Sequence, residues 1–191
     1  MEKVTLFETP NSSLWMVKDY YPMDMETLEK LPLEIQPEIV VYGRVCKQRR
    51  NVGFFSDVVH SYPYSHREAV AKPLTEELRE VMKKVNEDFG YEFNAILVNQ
   101  YLTGDYVIGA HFDDSRTLSA NTVVGISFGA TRTFRIRNKE TKKIVYDHNW
   151  ESGSLVAMSG DFQKEFTHEI PQQKKVKEAR ISLTFRKHVE K

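Results

Sequence analysis

The sequence predicts an α+β fold in which a double-sheet jelly roll with outer helices stands behind an N-terminal lid region. Three observations carry that reading. One segment, PLTEELREVMKKVNEDF, has strong helical periodicity; the chain after it breaks into short β-rich runs between turn residues; the chain before it has neither character consistently.

Residues 1–22 show no clear period and are expected to be partly mobile. MDMETLEKL then reads as a short helix with Asp24 as its cap, and IVVY, from Ile39 to Tyr42, reads as extended, with Pro37 marking the boundary before it. In the long helix Leu74, Leu78, Val81, Met82, Val85 and Phe89 fall on one stripe, acids fill the first turn, and Gly90 stands just past the end. That stripe should pack on a sheet. Six strand-like runs follow: FNAILVNQY, NTVVGISFG, TRTFRIR, KKIVYD, GSLVAMSG and ARISLTFRKH. A chain of 191 residues suits one domain. It divides into an N-terminal extension with the short helix over 1–36, a lid over 37–72, and the helix plus jelly-roll core over 73–191.

Composition excludes several classes. No apolar run approaches the roughly 18 residues of a membrane helix, so no membrane partner is expected. The N-terminal stretch has acids among its apolar residues and no apolar h-region, which points to an intracellular protein, nuclear or cytoplasmic and not secreted. Cys46 is the only cysteine and forms no internal disulfide. The formal charge is zero, yet residues 1–40 hold eight acids and three bases, leaving the remainder net basic. Arg44, Lys47, Arg49 and Arg50 form one local concentration, either a solvated face or a phosphate-binding stripe.

In GAHFDDS, an extended backbone would send His111 and Asp113 to one face and Phe112 and Asp114 to the other. The pair can ligate a metal or form a strand-end ion pair. His168 follows in FTHEIP, and RISLTFR places Arg180 and Arg186 six apart, on one face of a strand if no bulge intervenes. Two His and a carboxylate make the facial triad of non-haem Fe(II) oxygenases, with positions left open for a cosubstrate and oxygen. Arg supplies the fork that a cosubstrate carboxylate needs. A zinc hydrolase also fits two His and an acid, but leaves the arginine pair and NQY unexplained. The other histidines, His60, His66, His148 and His188, have no partner at ligand-like spacing.

VYGR, SYPYS, NQYLTGDYVIGAHFDD, ISFGATRTFRIR, HEIP and RISLTFRKH together resemble the AlkB family of Fe(II)- and 2-oxoglutarate-dependent dioxygenases, and most resemble its DNA-repair branch, over residues 37 to 189. The resemblance implies Fe(II), 2-oxoglutarate and O₂ as cofactors and iron ligation by His111, Asp113 and His168. It also implies 2-oxoglutarate contacts from Asn99, Tyr101, Arg180, Thr184 and Arg186, with Arg180 the choice for the distal carboxylate. The lid becomes a nucleotide-recognition lid. Tyr42 and Gly43 form the loop that enters the duplex, Arg44, Arg49 and Arg50 contact phosphate, and Tyr62 and Tyr64 wall the base pocket. Asp114 helps position the base. Read without the resemblance, Tyr42 ends a strand and packs on the core.

The implied reaction is oxidative demethylation of 1-methyladenine or 3-methylcytosine in single- or double-stranded DNA by base flipping, performed by a monomer. The implied products are formaldehyde, succinate and CO₂. RNA demethylation or hydroxylation of a nucleobase is the alternative within the family; a non-catalytic nucleic-acid-binding module is the alternative outside it. Ser115 departs from the pattern. The resembling repair enzymes carry an acid there, facing the exocyclic amino group of the base, and a hydroxyl cannot attract a cationic base as a carboxylate does.

Overall fold

Alternation along RISLTFR decides how the protein is layered. Ile181, Leu183 and Phe185 are completely buried on one side of the strand, while Arg180, Ser182, Thr184 and Arg186 line a cavity on the other. The computed structural model describes residues 1–64, 67–113 and 121–189, apart from the side chains of Tyr62 and Tyr64. Asp114, Ser115 and His66 therefore lie outside the described residues.

The elements begin with β1 (Val4–Glu8), β2 (Ser12–Val17), α1 (Met25–Glu29), β3 (Glu38–Val41), β4 (Arg44–Lys47), β5 (Asn51–Phe55), β6 (Ser61–Tyr64) and β7 (Arg67–Val70). They continue with α2 (Glu76–Phe89), β8 (Ala95–Tyr101), β9 (Ile108–His111), β10 (Val123–Gly129), β11 (Arg132–Asn138) and β12 (Ile144–Trp150). β13 (Leu155–Gly160), α3 (Phe162–Glu165), β14 (Phe166–Ile170) and β15 (Arg180–Arg186) complete the chain. A major antiparallel sheet runs β1-β2-β13-β10-β15-β8-β5, and a minor sheet runs β12-β11-β14-β9. The hairpins β3-β4 and β6-β7 stand apart from both.

The predicted long helix is α2. Thr75 caps it by accepting from the Leu78 N–H, and Gly90 ends it at φ 69°, a conformation that a side chain at that position would oppose. Leu78, Val81 and Val85 bury against Ile96, Val98, Val124, Ile126, Leu183 and Phe185 on the outer face of the major sheet. The inner face meets the minor sheet through Leu14, Tyr101, Val123, Phe134, Trp150, Val156 and Phe166. This is the two-sheet jelly roll with an outer helix.

Two expectations need correction. Residues 1–22 are not a mobile lead: β1 and β2 form a hairpin, and β2 pairs with β13 over its whole length. Ser12, Leu14 and Val17 are buried, with no strict alternation that would have marked the strand. Asp24 occupies the cap position of α1 but makes no capping side-chain bond. In addition β5, in the segment assigned to the lid, pairs with β8 as part of the major sheet, so the core recruits strands from both segments placed outside it.

Candidate active site

Register brings the site together. β9 and β14 pair antiparallel with His111 directly opposite His168, so both rings project to the same side, with centroids 4.3 Å apart. Asp113, two residues on and buried, turns its Oδ2 to within 3.7 Å of His168 Nε2. One ligand atom from each of the three residues falls within 4.8 Å of the others.

Hydrogen bonding and burial set the protonation of this cluster. His111 Nδ1 donates to Gly109 O at 2.8 Å, which leaves Nε2 as the lone-pair nitrogen facing the cluster. Burial pushes the His168 imidazole down to about 3, helped by neighbouring His111, and burial also lowers His111. For Asp113 burial is the largest single influence and acts upward, but Arg186, whose Nη2 donates to Asp113 Oδ1, together with His168 and His111 holds the carboxyl below its usual range. Two neutral imidazoles and one carboxylate are the form that binds a divalent cation. Among the described residues His168 Nδ1 and Asp113 Oδ2 are buried without hydrogen-bond partners.

β15 carries the other half of the site. Arg180 is 1% exposed; its Nε donates to Ser127 Oγ at 2.7 Å, and its guanidinium lies 5.2 Å from the Tyr101 ring and 5.0 Å from the Trp150 ring. Among the described residues its Nη1 and Nη2 are buried with no hydrogen-bond partner, and burial lowers it to about 10 against the opposing pull of Tyr101. A buried guanidinium with both Nη groups unused can hold an anion. The same cavity, about 200 Å³, is lined by His111, Asp113, His168, Asn99, Tyr101, Thr184 and Arg186. Tyr101 lies opposite Arg180 in the ladder, and Asn99 opposite Ser182.

The sequence reading missed Ser127, Trp150 and Gly125. Gly125 interrupts a branched strand, which is a signal for close approach, and a Cβ there would come within 2.5 Å of the Trp150 ring. The Trp150 indole N–H is fixed on Ser154 O at 2.9 Å. The reading also misplaced Arg50. It does not reach outward to phosphate: it is 5% exposed, lines the cavity, and donates from Nε to Asn99 Oδ1 at 2.9 Å, because it follows the turn into β5 and faces inward. Arg49 and Arg44 are exposed, Arg49 donating to Asp105 O at 2.7 Å.

Tyr42 does not pack on the core. Val41 pairs with Arg44, and Tyr42 and Gly43 between them have φ 49° and 74°, the positive values of a tight two-residue hairpin turn. The Tyr42 side chain is fully exposed at the tip. The roles given to Tyr62, Tyr64, Asp114 and Ser115 concern side chains outside the description.

Comparison with known proteins gives the family of the chain. The family model described as the 2OG-Fe(II) oxygenase superfamily matches residues 22–186. The chain is 32% identical over 158 residues to the DNA oxidative demethylase ALKBH2 of Mus musculus, covering 78% of this chain and 66% of that protein. It is 28% identical over 170 residues to the uncharacterized protein R406 of Acanthamoeba polyphaga mimivirus, covering 86% of this chain and 88% of that protein. The structure of OsALKBH1 superposes with a TM-score of 0.63 at 16% identity, covering 97% of this chain and all of that one, which bears on the fold alone. Among the described residues no helix is long and apolar enough to cross a membrane.

Proposed function

The chain belongs to the 2OG-Fe(II) oxygenase superfamily, with AlkB homologues among its relatives, and from that premise we propose that it demethylates N-alkylated bases in DNA, 1-methyladenine and 3-methylcytosine in particular. The observation that carries the proposal is the pairing, in one cavity, of the His111, Asp113 and His168 cluster with the two unpartnered Nη groups of Arg180. A metal alone would need no such arginine. A non-catalytic binding module would leave that buried cation unmatched.

In this reading His111 Nε2, His168 and Asp113 hold Fe(II), and Arg180 holds the distal carboxylate of 2-oxoglutarate, with Tyr101, Asn99 and Thr184 around its chain. When bound, iron and 2-oxoglutarate supply oxidation by O₂, which hydroxylates the alkyl carbon and releases succinate, CO₂ and formaldehyde. The residues of this chain supply orientation and a dry cavity. Arg186 orients Asp113, Ser127 orients Arg180, and the Trp150 and Tyr101 rings keep water from the guanidinium.

In this proposal the lid engages the duplex: Tyr42 enters the stack where a base has left and Arg44 meets phosphate, a reading supported by the full exposure of Tyr42 on a turn of positive φ. Tyr62, Tyr64 and Asp114 complete the base pocket in this proposal. Ser115 removes the acid that the repair enzymes use.

The test is incubation of purified protein with Fe(II), ascorbate, 2-oxoglutarate and oligonucleotides carrying either lesion in single or double strands. Restored base with equimolar succinate supports the proposal. Iron and 2-oxoglutarate binding without turnover on any of these DNAs would overturn the substrate, and turnover confined to the same lesions in RNA would move it to RNA.

A further inference from the structure

The ladder between β9 and β14 stops at the facing histidines, two residues short of the third member of the cluster. Continued at the same register, Asp113 would lie opposite Phe166. It lies instead outside any strand, and its backbone N–H donates to Gln163 Oε1 at 2.8 Å. The other end of that carboxamide, Nε2, donates to Met158 Sδ at 3.5 Å, which fixes the amide's orientation.

Gln163 stands on a firm base. It belongs to α3, the single turn between β13 and β14, whose Phe162 is completely buried. The Glu165 carboxylate of the same turn accepts from Thr9 Oγ1 at 2.9 Å and from Ser12 Oγ, which ties it to the N-terminal hairpin. The backbone carbonyl of Gln163 accepts from Lys139 Nζ at 3.2 Å, and that ammonium sits 3.3 Å from the centroid of the Phe112 ring. One residue thus holds Asp113 by its side chain and, through Lys139, also holds the neighbouring Phe112.

We propose that Gln163 is the positioning residue for Asp113, a side-chain replacement for the missing rung that keeps the carboxylate in place within the metal cluster. The proposal rests on reading His111, Asp113 and His168 as a metal site. Arg186 draws one carboxylate oxygen toward β15, and the Gln163 bond fixes the backbone from which that carboxylate hangs. A ligand beyond the end of its strand has no ladder of its own to resist this pull.

The test uses the full chain with Gln163→Met, of similar length without an acceptor oxygen, and Gln163→Glu, which keeps one. Mn(II) affinity is measured by calorimetry, Co(II) bound in the site is followed by its electronic absorption, and the melting temperature of the metal-free protein is recorded. Gln163→Met is expected to weaken Mn(II) binding by about tenfold and to change the Co(II) spectrum, in line with other residues that orient metal ligands. Its metal-free melting temperature should stay near that of the wild type. Gln163→Glu is expected to restore affinity and spectrum. Wild-type affinity and spectrum in Gln163→Met would overturn the proposal. So would equal losses in both variants tracking a lower melting temperature, which would make the residue a structural support only. Wild-type protein that takes up neither Mn(II) nor Co(II) would overturn the metal-site reading itself.

Discussion

Arg180 and Arg186 stand six residues apart on one face of β15 and meet different partners: Arg186 is bonded to the Asp113 carboxylate, while Arg180 keeps Nη1 and Nη2 unused in the cavity. Identical side chains thus divide the work. Arg180→Met should weaken 2-oxoglutarate binding by about 100-fold, the loss expected for two charge-assisted hydrogen bonds, and leave metal uptake intact. Arg186→Met should instead weaken the metal. Calorimetry with Mn(II) and then 2-oxoglutarate separates the two.

His168 has no substitute among the described residues, since the His111, Asp113 and His168 group has no fourth member. His168→Ala should abolish Fe(II) binding and turnover together. Retained turnover with stoichiometric iron would remove His168 from the site.

Gly125 and Trp150 are in contact so close that a methyl group must displace the ring. Gly125→Ala should push the indole toward the cavity and weaken 2-oxoglutarate by about tenfold, an overpacking effect, without changing metal affinity. Unchanged cosubstrate affinity would show that Trp150 yields outward.

Tyr42 pays a conformational penalty at its exposed tip, about 1 kcal/mol for a non-glycine residue in the left-handed region. Asn tolerates that region. Tyr42→Asn should therefore raise the melting temperature by about 2 °C while lowering repair of duplex DNA more than of single strands. Loss of both substrates in equal measure would count against a wedge.

Arg132, 1% exposed, donates to the carbonyls of Thr103, Tyr106 and Pro171 at 3.1, 2.8 and 2.9 Å and to Gln173 Oε1 at 3.1 Å. It joins the loops after β8 and β14. Arg132→Met should leave those acceptors unpaired and cost about 3 kcal/mol of stability, read as a lower denaturant midpoint.

Much of this was legible in the sequence, and the reason differs from part to part. The α2 stripe and its Gly90 terminus are local, and RISLTFR announces its two faces by alternation, so both were readable without tertiary knowledge. The jelly-roll core followed from the strand pattern together with the family resemblance, and the resemblance also grouped His111 with His168, whereas their facing register shows only in the β9-β14 ladder. The β1-β2 hairpin was not readable because Leu14, Trp15, Met16 and Val17 are all apolar, so no period distinguishes a face. Arg50 was misread because a basic run looks alike whether its members turn in or out, and only the β5-β8 pairing decides that. Gln163 was invisible for another reason: its bond spans 50 residues, and a single Gln in a loop-like stretch carries no pattern.

β15 has one more consequence. It follows every other strand of the major sheet in chain order, yet it is inserted between β10 and β8. During synthesis those two strands wait as open edges until the arginine strand emerges and closes the gap. A nascent chain that has made His111, Asp113 and His168 still lacks Arg180 and Arg186, so under the proposed reading the cosubstrate has no guanidinium to hold it until β15 is in place.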